Sequence, residues 1–135
     1  MASFLQRRFL MDLFKKTSAK RLSISQYTLL GFLAAESGMP MGTLAKQMGH
    51  ATSATTGLVD RLESASLVRR IAVKGDRRQK LVEITPKGLE LVHRMQAELK
   101  GHLHQIQEKL AVRDREAWLR VYHAMEEYCR ELPRS

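Results

Sequence analysis

Leu67-Val68-Arg69-Arg70-Ile71-Ala72-Val73, then Lys74-Gly75-Asp76-Arg77-Arg78-Gln79-Lys80, then Leu81-Val82-Glu83-Ile84 form a run of changing character. The outer stretches are rich in aliphatic and β-branched residues: Leu67, Val68, Ile71 and Val73 in one, Leu81, Val82 and Ile84 in the other. That is the composition of strands. The middle stretch is polar, contains a glycine and carries the cations Lys74, Arg77, Arg78 and Lys80. The pattern predicts a two-stranded hairpin with a strongly basic tip. Such a tip is sized to enter a minor groove or to lie along phosphates; the alternative is a solvated hairpin with ordinary surface ion pairs.

Immediately upstream, Thr52 to about Ala65 predicts an amphipathic helix with Leu58, Val59 and Leu62 facing inward. A shorter helix, Thr43 to Met48, precedes it through Leu44, Ala45 and Met48, and Gly49 suits a left-handed C-terminal residue. Only Gly49-His50-Ala51 separates the two, a helix-turn-helix spacing that structural helical hairpins also use. A basic hairpin directly after it is the wing of a winged-helix domain. Further upstream, Ser23 and Gln26 form the pattern of a capping box. The helix they open carries Tyr27, Leu30, Phe32, Leu33 and Ala34 and stops at Ser37-Gly38-Met39-Pro40.

The flanks are helical by the same criteria. Leu5, Phe9 and Leu13 recur at helical spacing in the basic segment Met1 to Arg21, which has the composition of a transit peptide as well as of a first helix. Thr85-Pro86 restarts a helix with a threonine cap and proline in its first turn. Leu89, Val92, Gln96, Leu99, Leu103, Ile106 and Leu110 continue it beyond what a winged core needs. Asp114 begins a last helix with Trp118, Val121, Tyr122, Met125, Tyr128 and Leu132. Amphipathic helices at both ends predict a symmetric dimer through Leu5, Phe9 and Leu13 with Trp118, Tyr122 and Met125. The predicted fold is mainly α with a small β-hairpin wing. One domain covers residues 1–135, with 22–88 the winged helix-turn-helix region and 1–21 and 89–135 the dimerisation helices.

Composition narrows the function classes. With 135 residues, 44% hydrophobic and 27% charged, the chain suits one globular domain rather than a two-domain enzyme. Its 23 lysines and arginines against 14 acids leave a charge of +9, which favours a polyanionic partner. That charge is clustered: Met1 to Arg21 and Arg69 to Lys87 carry +5 each, Leu22 to Val68 carries −1, and Gly88 to Ser135 is neutral. A binding surface is clustered, whereas a solubility charge is spread out.

No cofactor or metal is expected. His50, His93, His102, His104 and His123 include no pair at the helical spacing of three or four that a metal needs. Cys129 has no partner for a disulfide or a zinc motif and reads as a packed thiol. No nucleophile, phosphate loop or paired-carboxylate motif supports an enzyme. The absence of a membrane-length apolar run predicts a cytoplasmic protein with no membrane partner. The competing class is a basic helical interaction or membrane-surface protein without sequence-specific DNA recognition, motivated by Met1 to Arg21.

At the wing the chain resembles the MarR family of bacterial transcriptional regulators. That family's signature is Asp, any residue, Arg, five residues, an aliphatic residue, Thr, two residues and Gly. Here it reads Asp76-Arg77-Arg78, Gln79 to Glu83, then Ile84-Thr85-Pro86-Lys87-Gly88. Leu44-Ala45-Lys46-Gln47-Met48 and Gly57-Leu58-Val59-Asp60-Arg61-Leu62-Glu63 look like the family's two helix-turn-helix segments. The resemblance implies a homodimeric regulator of double-stranded DNA, a repressor on a pseudo-palindromic operator. It implies that Arg78 enters the minor groove, held by Asp76, with Lys74, Arg77 and Lys80 at the same tip. It implies that Ser53, Thr55 and Thr56 read bases in the major groove. Arg61 is left between a phosphate contact and an internal ion pair with Asp60 or Glu63. A small aromatic or phenolic effector is also implied, with Phe9, Tyr27, His93 and Met95 as candidates for its pocket; their alternative is plain core packing. Two positions depart from the family. Ala51 stands where members have a capping serine, so that Thr52 or His50 is expected to cap, and Ser66 stands where members have glycine.

Overall fold

The computed structural model describes residues 2–17, 21–36, 38–73 and 76–131, the side chains of 2–7, 10, 76–79 and 129 excepted. Its elements are α1 (Ala2–Lys15), α2 (Ile24–Ala35), β1 (Met39–Pro40), α3 (Met41–Met48), α4 (Thr52–Ser64), β2 (Val68–Val73), β3 (Asp76–Ile84), α5 (Pro86–Glu108) and α6 (Val112–Glu131). Two compact units result, Met1–Leu99 and Lys100–Ser135, with α5 contributing to both.

Local signals set the helix ends of the first unit. Ser23 Oγ accepts from the Gln26 N–H at 3.1 Å while Gln26 Oε1 accepts from the Ser23 N–H at 2.8 Å, the reciprocal capping box. From there Leu29, Leu30 and Leu33 of α2 run into the core. Helix α3 ends at Gly49 in the left-handed conformation, φ 64°, with the His50 N–H bonded to the Ala45 carbonyl at 3.1 Å. Beyond α1, the Thr17 hydroxyl donates to the Phe14 carbonyl at 2.7 Å, and the Phe14 ring meets Tyr27 edge-on with centroids 5.7 Å apart.

The sheet has three strands rather than a hairpin alone. Its order is β1-β3-β2, all antiparallel, with Met39 opposite Val82 and Pro40 opposite Leu81. The segment that ends α2 therefore also supplies an edge strand, where a proline is tolerated because one side makes no ladder bonds. Between β2 and β3 the register places Val68 opposite Ile84 and Arg70 opposite Val82, and it shifts between Ala72 and Val73. Val68 and Val82 point inward and join Leu29, Leu30, Leu33, Met39, Leu44, Val59, Leu62, Leu67 and Val92 in one core.

The start of α5 closes this unit. The Thr85 hydroxyl accepts from the Gly88 N–H at 3.1 Å, capping the helix, and donates to the Ser66 carbonyl at 2.8 Å. Gly88 packs so closely that an added Cβ would lie 2.2 Å from the Leu67 carbonyl oxygen and 2.8 Å from Ile84 Cγ1. In the second unit, α6 follows a turn in which Arg115 donates to the carbonyls of Leu110 and Glu108, both at 3.0 Å, covering the C-terminal end of α5.

Gly88→Ala is expected to destabilise the fold by at least about 2 kcal/mol despite alanine's better helix propensity, because backbone at Leu67 cannot yield as a side chain could. Urea denaturation checks this through a lowered midpoint at unchanged slope.

Candidate nucleic-acid interface

Helix α4 is anchored by Val59 and Leu62, both fully buried. Each contributes about 1.5–3 kcal/mol on burial, against about 1 kcal/mol for a typical side-chain cap. The helix therefore forms although its N-cap, Ala51, makes no side-chain cap bond. Neither Thr52 nor His50 takes over the capping, contrary to the sequence expectation, since the helix keeps its start and Ala51 itself adopts the cap conformation, φ −62° and ψ 148°.

Burial decides which α4 residues can meet a partner. Thr52, Ser53, Ala54, Gly57, Asp60, Arg61 and Ser64 are exposed. Thr56 is half-buried with its hydroxyl donated to the Thr52 carbonyl at 2.8 Å. Thr55 corrects the sequence assignment: it is fully buried, with its hydroxyl on the Ala51 carbonyl at 3.2 Å, and faces the core rather than a base. Back-bonding satisfies its only polar group, so threonine serves here as an apolar residue. Ala54 and Gly57, which charge and hydrogen-bonding criteria passed over, complete a stripe of small side chains with Ser53. A helical projection from Ser53 finds them.

The C-terminal end of α4 is fixed by backbone geometry. Ser66 has φ 59°, the one non-glycine residue with positive φ among those described. Its N–H bonds to the Glu63 carbonyl at 2.8 Å and the Leu67 N–H to the Leu62 carbonyl at 2.9 Å, the paired bonds of a Schellman motif. The serine thus occupies a left-handed conformation that glycine most often fills at this place in a Schellman motif. Lys87 adds its ammonium to the Ala65 carbonyl at 2.8 Å.

Ion pairs sort the basic residues. Arg69 pairs across the strands with Glu83 at 3.0 Å. Arg70 binds Asp60 at 2.6 Å and also Glu63, and the bond to Asp60 is the main cause that raises its guanidinium above the ordinary arginine value. The acids considered for Arg61 are therefore taken by Arg70. Arg61 is exposed and makes no ion pair among the described residues. Lys80 is exposed on β3. Lys74 and the side chains of Asp76, Arg77 and Arg78 lie outside the described residues.

The sequence pattern of the MarR family matches residues 22–79, the span from the capping box into the wing. The fold is similar to that of the crystal structure of Rv1404 from Mycobacterium tuberculosis, at a TM-score of 0.84 and 26% identity over 99% of this chain and 93% of that one. Over residues 22–79 the chain is thus similar to the MarR family. Among curated proteins it is 33% identical over 82 residues to the uncharacterized HTH-type transcriptional regulator YfiV of Bacillus subtilis (strain 168), covering 61% of this chain and spanning half of that protein's length. MepR, a transcription regulator of the Staphylococcus aureus multidrug efflux pump MepA, shares the fold at a TM-score of 0.74 and 20% identity over 96% of this chain and 98% of MepR. A mutant of MepR has been solved bound to an oligodeoxyribonucleotide.

The other residues singled out in the sequence separate clearly. Met95 is fully buried and His93 exposed, as two positions on one helix about 200° apart must be, so they cannot line one pocket and Met95 is core. Tyr27 is half-buried against Phe14, and Phe9 is 43% exposed. A cavity of about 390 Å³ lies instead within the C-terminal unit, between Leu103, Trp118, Leu119 and Tyr122 among others. Of the dimerisation candidates, Leu13 and Trp118 are half-buried, Tyr122 and Met125 exposed, and the Leu5 side chain lies outside the described residues, as does that of Cys129. No group of three or more potential metal ligands occurs among the described residues, and no described helix is long and apolar enough to cross a membrane.

Ala51→Ser supplies the hydroxyl that α4 lacks at its N-cap, and is expected to stabilise the protein by about 1 kcal/mol. Thermal unfolding checks it; an unchanged midpoint would mean that the first turn of α4 is already satisfied.

Proposed function

We propose that the chain is a DNA-binding transcription regulator, a repressor, that acts as a homodimer on a pseudo-palindromic operator with half-sites about one helical turn apart. The observation that carries this is the exposed stripe Ser53, Ala54, Gly57 and Arg61 on α4, ahead of a hairpin whose tip concentrates basic residues. Small side chains let a helix approach base edges closely, and a nearby unpaired arginine suits the phosphate backbone. The oligodeoxyribonucleotide-bound MepR mutant, which has the same fold, supports the choice of partner.

In this reading Ser53 contacts the major groove, with Thr56 at its edge. Arg61 and Lys80 contact phosphates, and Arg78, oriented by Asp76, enters the minor groove with Lys74 and Arg77 beside it. The minor groove concentrates negative potential, and a held arginine loses less entropy on entry than a free one. Such a regulator works in the cytoplasm, where its operator is. A small aromatic or phenolic effector would act by binding the DNA-incompetent state better than the competent one. Of the residues considered for it, Phe9 and Tyr27 keep accessible aromatic surface.

Dimerisation is supported by α6, on which Val121, Tyr122, Met125 and Tyr128 are each more than half exposed. Apolar side chains clustered on one helix are the mark of a covered face. Replacing both Tyr122 and Met125 with aspartate is expected to leave a monomer of 15.4 kDa by light scattering, where the wild type has twice that mass. Both side chains are exposed in the single chain, so a monomeric wild type would overturn the dimer directly.

Gel shift on a selected duplex tests DNA binding. Affinity is expected to fall by about 10³-fold between about 50 and 200 mM salt, and Arg78→Ala to cost about 1–3 kcal/mol. Undiminished binding by the variant would remove the wing from the interface.

A further inference from the structure

Asp60 and Glu63 lie three residues apart on α4, and one side chain from another element answers both. Arg70 of β2 donates Nη2 to Asp60 Oδ1 at 2.6 Å and Nη1 to Glu63 Oε2, while its backbone N–H donates to Glu63 Oε1 at 3.1 Å. Both oxygens of Glu63 are thus held by one residue. The Arg70 side chain is 20% exposed, against 59% for Asp60 and 39% for Glu63, so the cation is the sheltered member of the cluster. Charge-assisted bonds in partial shelter are stronger than the usual surface pair, and the planar guanidinium imposes direction on both acids at once.

Position gives this contact its consequence. Thr55, Val59 and Leu62 pack α4 into the core and the Schellman turn fixes its last turn, but apolar packing has little directional preference and resists a small tilt about that turn less than a directed bond does. Between Ser64 and Ser53 the helix runs about 16 Å, so a tilt of about 5° moves Ser53 by about 1.5 Å. That shift is enough to break a hydrogen bond to a base. Asp60 lies a full turn closer to Ser53 than the junction does, and holding it from the sheet resists this tilt.

We propose that Arg70 is a positioning residue for DNA recognition, which by gripping Asp60 and Glu63 together sets the angle of α4 against the wing and so the match of both to one operator. The proposal rests on the DNA-binding function argued above. A second effect of the same contact is that it neutralises two carboxylates on the DNA-reading helix. The test must separate orientation from charge.

The full-length wild type is used to select duplexes from a randomised pool. Affinities are then measured for the selected duplex and for a scrambled duplex of equal length. Arg70→Lys keeps the charge but loses the fork. It is expected to lower the ratio of selected to scrambled affinity by about tenfold or more, with scrambled-duplex affinity and its salt slope unchanged. A ratio within about twofold of wild type, or an equal loss on both duplexes as a merely less stable fold would give, overturns the proposal. Asp60→Ala probes the contact from its exposed side, where folding is little at risk. It is expected to strengthen binding to the scrambled duplex by removing a negative charge and yet to lower the ratio. Equal strengthening on both duplexes would mean that Arg70 acts by charge alone. A wild type that enriches no sequence would overturn the DNA-binding function itself, whatever the variants do.

Discussion

The carbonyl oxygen of Leu67 is the point on which the winged unit turns. It accepts the Thr85 N–H at 3.0 Å, and Gly88 approaches it so closely that no side chain fits there. Meanwhile the Leu67 N–H closes the Schellman turn of α4. The end of α4, both feet of the wing and the start of α5 are thereby fixed at one buried residue. Through this constraint the threonine and glycine of the wing signature acquire a structural meaning distinct from DNA contact. Thr85 caps α5 with the same hydroxyl that reaches back to Ser66, and Gly88 permits the approach.

Of the cations between Arg69 and Lys87, Arg69 serves Glu83, Arg70 serves Asp60 and Glu63, and Lys87 serves a helix end at Ala65. Arg69 is 63% exposed, and a pair so open to water contributes little to stability. These residues nevertheless use their hydrogen-bonding capacity inside the fold. Lys80 on β3 and Arg61 on α4, by contrast, are exposed and make no ion pair among the described residues. The net charge of the segment therefore exceeds the number of its cations free to meet a polyanion.

Features whose cause is local were legible from the residues. The capping box at Ser23, the left-handed Gly49, the Thr85-Pro86 start and the aliphatic strands of the wing all depend on neighbours within a turn or on strict alternation. Features decided across the chain were not. Strand β1 is two residues long and includes a proline, and it exists only because β3 offers an unpaired edge. Thr55 reads as polar until its hydroxyl is seen to be satisfied by Ala51, and the partners of Arg70 lie on a different element. His93 and Met95 belong to a third kind: the angle between positions two apart on a helix already separates them, the same rule that disposed of His102 and His104 as a metal pair.

The C-terminal unit poses a different physical problem from the winged one. Lys100–Ser135 has the stacked pair Trp118 and Tyr122, with ring centroids 6.3 Å apart, and the Arg115 cap, but none of its described residues is buried. Units below about 40 residues seldom bury enough surface to be stable without a metal, a disulfide or a second chain. A second copy covering α6, as proposed above, would therefore supply folding free energy as well as assembly.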